Sequence, residues 1–375
     1  MLSFFSYYFI GENMKKIITF LLILVVPFKI NALEVGGTSA ILLEQSTNKI
    51  LYAKNIHDQR SVASISKIMT AILAVDSGKM SNMVSIGDEI DKSYGSAVYI
   101  KKGEKMLLED LVYGLMLRSG NDAAYAIASY VGKDVENFIT MMNDKAKELG
   151  MRNTVFNNPH GLDEGEMKGN FSTAYDMAIL TSYANKNKLY KKITGTKKHK
   201  VSTNKNSYSW TNKNKLLNSY KYTTGGKTGF TTIARRTLVT TASKGNLDLI
   251  VVTLNNGNDF GDHKSMFEYG FDTYKSYKIL KKGIINIYDD TYYKDYNLYI
   301  KRDFVYPLLE EEKGNIVLKF EIERERKYKR NDNIGKVIVT LNSEIIKEEP
   351  IYIKGLKTTK KSFLNKIKSW IKNDK

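Results

Sequence analysis

The chain has 375 residues, 42% of them hydrophobic and 26% charged, enough for one sizeable domain and a smaller companion. It has no cysteine, which excludes disulfides, thiolate metal sites and cysteine nucleophiles. A formal net charge of +18 favours anionic partners without choosing among nucleic acid, acidic lipid and wall polymer.

At the N-terminus, Met14-Lys15-Lys16 leads into an apolar run over 17–28 and then into Ile30-Asn31-Ala32. This is the pattern of a secretory signal peptide over residues 1–32, with Met14 as the true start. The run is shorter than the roughly 20 apolar residues that a spanning helix needs. The expected location is therefore outside the cytoplasmic membrane, at its outer face or in the space beyond it.

Residues 38–44 and 49–54 are short apolar stretches around the polar turn Gln45-Ser46-Thr47-Asn48, which predicts an antiparallel hairpin. Ile68, Met69, Ile72 and Leu73 then repeat at helical spacing, placing Ser64 at or near a helix N-terminus. Apolar positions keep a 3.6-residue period through 105–149, which reads as wholly helical with Gly150 as its stop. A further helix is expected over 172–184, capped by Ser172 or Thr173. Strands over 237–242 and 247–254 flank the turn Ser243-Lys244-Gly245-Asn246, and a helix follows over 265–274. From about Lys278 the texture turns to strand-like alternation, as in Leu318, Phe320 and Ile322 against Lys319, Glu321 and Glu323, with another strand over 337–341. The expected division is a catalytic domain over 33–276, a β-rich domain over 277–355 and a basic amphipathic helix over 356–375.

Three short motifs carry the chemistry: Ser64-Ile65-Ser66-Lys67, Ser119-Gly120-Asn121 and Lys227-Thr228-Gly229. A serine hydroxyl needs a base to take its proton, and three residues along a helix put Lys67 on the same face as Ser64. Lys67 can act as that base only when neutral, and burial or the nearby charge of Lys227 would lower its pKa. The helix N-terminus and the Ser64 backbone N–H favour negative charge at the attacked carbonyl, with a second donor from the strand holding Lys227 to Phe230. Ser119 is placed to relay a proton to the leaving amine, and Asn121 to orient Lys67 and bind a substrate amide. Lys227 and Thr228 suit the carboxylate of a peptide C-terminus, and Gly229 lets the substrate backbone approach. Each motif alone is weak. Their combination, in this order, is specific.

The chain closely resembles the low-molecular-mass penicillin-binding proteins of the serine D-alanyl-D-alanine carboxypeptidase family, from about Val35 to Ile353. Matching stretches include Ala63-Ser64-Ile65-Ser66-Lys67-Ile68-Met69-Thr70, Arg118-Ser119-Gly120-Asn121-Asp122, Asn158-Pro159-His160-Gly161-Leu162-Asp163, Ser172-Thr173-Ala174-Tyr175-Asp176 and Gly226-Lys227-Thr228-Gly229-Phe230-Thr231. The resemblance implies an α/β (α+β) fold. Its parts would be a β-lactamase-like transpeptidase domain, with an antiparallel sheet flanked by helices and an α-helical subdomain, then a smaller β-rich domain. It implies removal of the terminal D-Ala from peptidoglycan pentapeptide stems through an acyl-enzyme at Ser64, with no metal or cofactor and with β-lactams as covalent inhibitors. Lys67 would be the general base, Ser119 the relay, Asn121 the orienting amide, Lys227, Thr228 and Gly229 the substrate clamp, and Phe230 a backbone oxyanion donor. The chain departs from the pattern at Val62, where the family usually has Pro, and at Ala234-Arg235-Arg236, where Ala-Gly-Tyr is common.

His160 lies in a matching stretch, where a buried hydrogen-bonding role is expected, and His57, His199 and His263 lack metal-ligand spacing. A β-lactamase would need a deacylating Glu, and Glu164 and Glu166 sit in a carboxypeptidase-like context instead. The same machinery would serve a DD-endopeptidase cutting cross-links. An idle wall-binding scaffold would have no need of intact Ser64, Lys67, Ser119, Asn121, Lys227 and Thr228. In the tail, Phe363, Leu364, Ile367, Trp370 and Ile371 form an apolar face among lysines, which predicts attachment of residues 360–372 to an anionic membrane surface. The basic stretch 186–200 is expected to be a solvated face, and the export signal argues against nucleic acid as a partner.

Overall fold

The computed structural model describes residues 33–163, 168–285, 293, 295–323 and 328–356. The expected signal peptide, Glu164 and Glu166, and the tail from residue 357 lie outside the described residues. The described residues from Val35 onward form one compact unit.

In chain order the main elements open with β1 (Ser39–Glu44), β2 (Ile50–Lys54) and α1 (Lys67–Asp76). Three more helices follow, α2 (Leu108–Tyr113), α3 (Asn121–Gly132) and α4 (Val135–Glu148). After α5 (Ala174–Ala184) and α6 (Lys188–Gly195) comes a hairpin, β3 (Lys198–Ser202) and β4 (Ser207–Thr211). The strands β5 (Thr223–Thr231), β6 (Arg235–Lys244) and β7 (Leu247–Leu254) lead into α7 (Asp259–Thr273). The C-terminal region holds β8 (Lys275–Leu280), β9 (Gly283–Ile285), β10 (Tyr296–Ile300), β11 (Phe304–Leu308), β12 (Ile316–Ile322), β13 (Asn333–Leu341) and β14 (Glu344–Leu356).

A five-stranded antiparallel sheet in the order β2-β1-β7-β6-β5 positions the site. All six residues of β1 are buried, because helices cover both faces of the sheet. Ile41 and Leu43 belong to the large core shared with α1 and the helical region, while Leu42 meets α7 where Gly270 leaves no room for a side chain. The β6–β7 turn passes through Gly245 at φ +62, a conformation that glycine adopts without steric cost. In the C-terminal region, a second antiparallel sheet runs β9-β10-β14-β13-β12, and β8 pairs with β11.

The expected continuous helix over 105–149 is broken twice. Residues Lys105–Leu107 form a short strand, and α2 passes through a wide π-type turn, Gly114–Arg118, into Ser119 at φ +67. The second break is at Lys133, φ +73, after which the Asp134 carboxylate caps α4 by accepting from Asn137 N. A side chain at Gly132 would collide with Phe138, which fixes how closely α3 meets α4. The apolar period runs through these breaks because each helix buries its own stripe in one core. The helix expected over 265–274 starts earlier, at Asp259. In the basic stretch 186–200, Tyr190 and Ile193 are buried, and the lysines keep largely to the outer surface.

Candidate active site

Ser64 sits in a tight turn, Ala63–Ser66, that leads directly into α1 at Lys67, so the sequence expectation for its position holds. Ala63 has φ +48, a left-handed conformation that costs free energy in a non-glycine residue and must be held by its surroundings. Several contacts hold it. Ser66 Oγ donates to Ala63 O at 2.9 Å, Val62 N donates to Asn170 O at 3.1 Å, and Thr237 Oγ1 on β6 donates to Val62 O at 3.0 Å. Gly161, φ +85, packs so closely that a side chain there would overlap Ala63 O.

Lys67 is fully buried. Its Nζ donates to Ser64 Oγ at 3.0 Å, Asn121 Oδ1 at 2.7 Å and His160 O at 2.5 Å. Burial, then the charges of Lys227 and Lys213, hold this amine well below the ordinary lysine range, with Asp122 pulling the other way. A neutral amine 3.0 Å from a serine hydroxyl can accept its proton. The Asn121 carboxamide is fixed from both ends, since its Nδ2 donates to Tyr94 O. Next to it, the buried Asp122 carboxylate accepts from the backbone N–H groups of Val98, Tyr99 and Ile100, tying the 94–100 loop to the start of α3.

The third motif lies on β5, at the edge of the five-stranded sheet. Lys227 is buried, and its Nζ donates to Ser119 Oγ at 3.0 Å and to Thr228 O at 2.5 Å. Burial, then Lys213, brings its pKa down to about 7. A side chain added at Gly229 would meet Ser64 N at 3.0 Å and collide with Thr237 Oγ1, so glycine is what allows β5 to lie beside the serine turn. Ser64, Ser119, Thr228, Gly229 and Phe230 line one cleft of about 380 Å³. All three motifs thus converge, Lys67 through its contact with Ser64, Asn121 through Lys67, and Lys227 through Ser119.

Several neighbours carry no signal of their own in the sequence. The His160 carbonyl, rather than its ring, holds Lys67. The ring is buried between Tyr125 OH and the Leu162 N–H, and burial followed by the charge of Lys67 lowers its pKa to about 3, so it is neutral. The Asn158 carboxamide shapes this loop by accepting from the N–H groups of His160 and Gly161 and donating to Leu162 O. The family stretch around His160 marks the loop, but it cannot show which atom matters. Lys213, Lys215, Arg236, Asp259 and Phe260 also line the cleft, and only the departure at Ala234-Arg235-Arg236 points to any of them. Among the described residues there is no group of three metal-ligating side chains.

A family model described as D-alanyl-D-alanine carboxypeptidase matches residues 27–258, and one described as penicillin-binding protein 5, C-terminal domain, matches residues 274–356. The chain is 36% identical over 254 residues to D-alanyl-D-alanine carboxypeptidase DacF of Bacillus subtilis (strain 168), an alignment covering 65% of this chain and 64% of that protein. It is 33% identical over 267 residues to DacC of Escherichia coli (strain K12), covering 67% and 65%. The chain therefore spans just under two thirds of the length of these curated relatives. Among solved structures, penicillin binding protein 5 from Haemophilus influenzae superposes with a TM-score of 0.70 at 25% identity, covering 87% of this chain and 98% of that one. A variant of the Streptomyces K15 DD-transpeptidase gives a TM-score of 0.60 at 30% identity, covering 64% and 99%.

Proposed function

This chain belongs to the D-alanyl-D-alanine carboxypeptidase family, and on that premise we propose that it removes the terminal D-Ala from peptidoglycan stem peptides through an acyl-enzyme on Ser64. The observation that carries this reading is the buried Lys67 amine, 3.0 Å from Ser64 Oγ and depressed well below the ordinary lysine range.

In the proposed reaction Lys67 Nζ takes the Ser64 hydroxyl proton as Oγ attacks the carbonyl between the two D-Ala residues. The backbone N–H groups of Ser64 and Phe230 receive the developing oxyanion. The C–N bond breaks, and the leaving D-Ala amine takes a proton through Ser119, which accepts a hydrogen bond from Lys227. Asn121 orients Lys67 and offers its amide to the substrate backbone. Lys227 and Thr228 bind the C-terminal carboxylate, a charge-assisted contact. Water then cleaves the ester and restores Ser64. β-Lactams enter the same sequence and stall as the acyl-enzyme.

The leader pattern over 1–32 and the amphipathic basic pattern over 360–372 support an exported protein held peripherally at an anionic membrane surface. Incubating the protein with a pentapeptide ending in D-Ala-D-Ala should release D-Ala, and Ser64→Ala should abolish that release. Release that persists in Ser64→Ala, or none from the wild type, overturns the proposal.

A further inference from the structure

The cleft carries more positive charge than a single C-terminal carboxylate requires. Lys213, Lys215 and Arg236 line it, and among the described residues its lining acid, Asp259, is already paired with Arg236. Arg236 Nη2 donates to the buried Asp259 at 2.6 Å, and the guanidinium lies over the Phe260 ring at 5.6 Å. These contacts fix the plane of the fork, while the side chain stays 43% exposed; its Nε is buried and has no hydrogen-bond partner among the described residues. An arginine held in this way is preorganised for a second carboxylate.

Register says which part of a substrate it would meet. Thr228 pairs across the sheet with Leu238, Gly229 with Thr237 and Phe230 with Arg236. Along β5 the order is therefore the proposed carboxylate contact at Thr228, the serine turn at Gly229, and Phe230 opposite Arg236. Arg236 stands two residues beyond Thr228, about 7 Å along a strand, on the acyl side of the bond to be cut. Phe230 is 63% exposed beside it and offers an apolar surface for a chain of methylenes. Arg236 also falls where the sequence departs from the family pattern.

We propose that Arg236, positioned by Asp259 and Phe260, selects substrates whose residue preceding D-Ala-D-Ala carries a free side-chain carboxylate. In a stem peptide this is a diamino dicarboxylic residue such as meso-diaminopimelate. Its methylenes lie on Phe230 and its distal carboxylate meets Arg236, whereas lysine at the same position presents the distal ammonium without that carboxylate, so the guanidinium finds only a like charge. This inference rests on the carboxypeptidase reading and assigns the substrate class of the same cleft.

The test uses three pentapeptides that differ only at the third residue: meso-diaminopimelate, its side-chain carboxamide, and lysine. In the wild type, kcat/KM for the free carboxylate should exceed that for the carboxamide about tenfold or more, as expected for one charge-assisted contact. Arg236→Gln should bring that ratio close to one, and Arg236→Lys should keep part of it. Because Arg236→Gln alone leaves Asp259 buried and unpaired, the double variant Arg236→Gln/Asp259→Asn guards against misfolding and should show the same collapsed ratio. Calorimetric binding of the three peptides to Ser64→Ala reads the preference without turnover. Failure of the carboxypeptidase reading, seen as no D-Ala release from any peptide, is thereby separable from failure of the selectivity. A ratio near one both in wild-type turnover and in binding to Ser64→Ala, or a turnover ratio unchanged in the double variant, overturns the proposal.

Discussion

Lys67 and Lys227 are both fully buried amines, yet they make different bonds: Lys67 faces the Ser64 hydroxyl, Asn121 and a carbonyl, and Lys227 faces Ser119 and a carbonyl. Among the described residues neither has a carboxylate partner within bonding distance, and desolvation is the leading cause of both depressed pKa values. The protonated form of Lys67 has no lone pair for the serine proton, so acylation by a penicillin should rise with pH through this lowered pKa rather than near 10. Lys213 is one of the charges that lowers it. In Lys213→Met that repulsion is gone, protonation of Lys67 becomes easier and its pKa rises, so the acid limb of the acylation profile should move to higher pH. Lys67→Met should cut acylation by about 10³-fold at any pH, within the range for loss of a general base. A stopped-flow series from pH 6 to 10 checks all three, and an acid limb in Lys213→Met that stays or moves down would count against the electrostatic account. The motif spacing points to these lysines, but the His160 carbonyl contact is invisible in sequence because a backbone atom carries no residue-type signal.

At the scale of elements, the site depends on three non-helical breaks as much as on helices and strands. The serine turn needs Ala63 at positive φ, the second motif needs Ser119 at positive φ, and the loop around Gly161 props the first of these. Gly161→Ala places a Cβ against Ala63 O at a φ of +85 and should displace Ser64. A misplacement of about 1 Å costs roughly 100-fold in rate, so penicillin acylation should fall by about that much, with a loss of folding stability of about 2 kcal/mol. Acylation kinetics and chemical denaturation of the variant check this, and wild-type acylation in a folded variant would show that the turn is held elsewhere. Helical period predicts the right faces over 105–149 but not the breaks, because tertiary packing of Gly132 on Phe138 and of the Asp122 carboxylate on the 98–100 backbone decides where each helix stops. Strands β1, β6 and β7 are legible from apolar stretches and turn residues; β5 is placed through its motif, since Thr223–Thr231 has three glycines and little apolar pattern.

At the scale of the molecule, the C-terminal strands dock on the β1–β2 turn through Lys49. Its Nζ pairs with Glu312 at 2.6 Å, donates to Pro307 O at 3.1 Å and lies over the rings of Tyr274 and Tyr306. Both side chains are mostly buried, so removing one partner strands the other. Lys49→Met should therefore lower stability by about 2 kcal/mol in chemical denaturation, and Lys49→Met/Glu312→Gln should lose less than the two single losses combined. Strict additivity would show that the pair is not coupled. Sequence alone pointed to the leading hairpin, the β6–β7 pair, the two textures of the chain and the three motifs with the chemistry proposed for them, because period, turn residues and nucleophile-to-lysine spacing are local properties. Only the tertiary structure decided that Lys67 and Lys227 lie buried beyond the reach of solvent, that β5 runs along the serine turn, and that Arg236 shares the cleft with Ser64. Burial, neighbouring charge and cross-strand register are set by residues far apart in sequence, as Thr237 and Val62 at the foot of the serine turn are by 175 positions, and no local pattern encodes them.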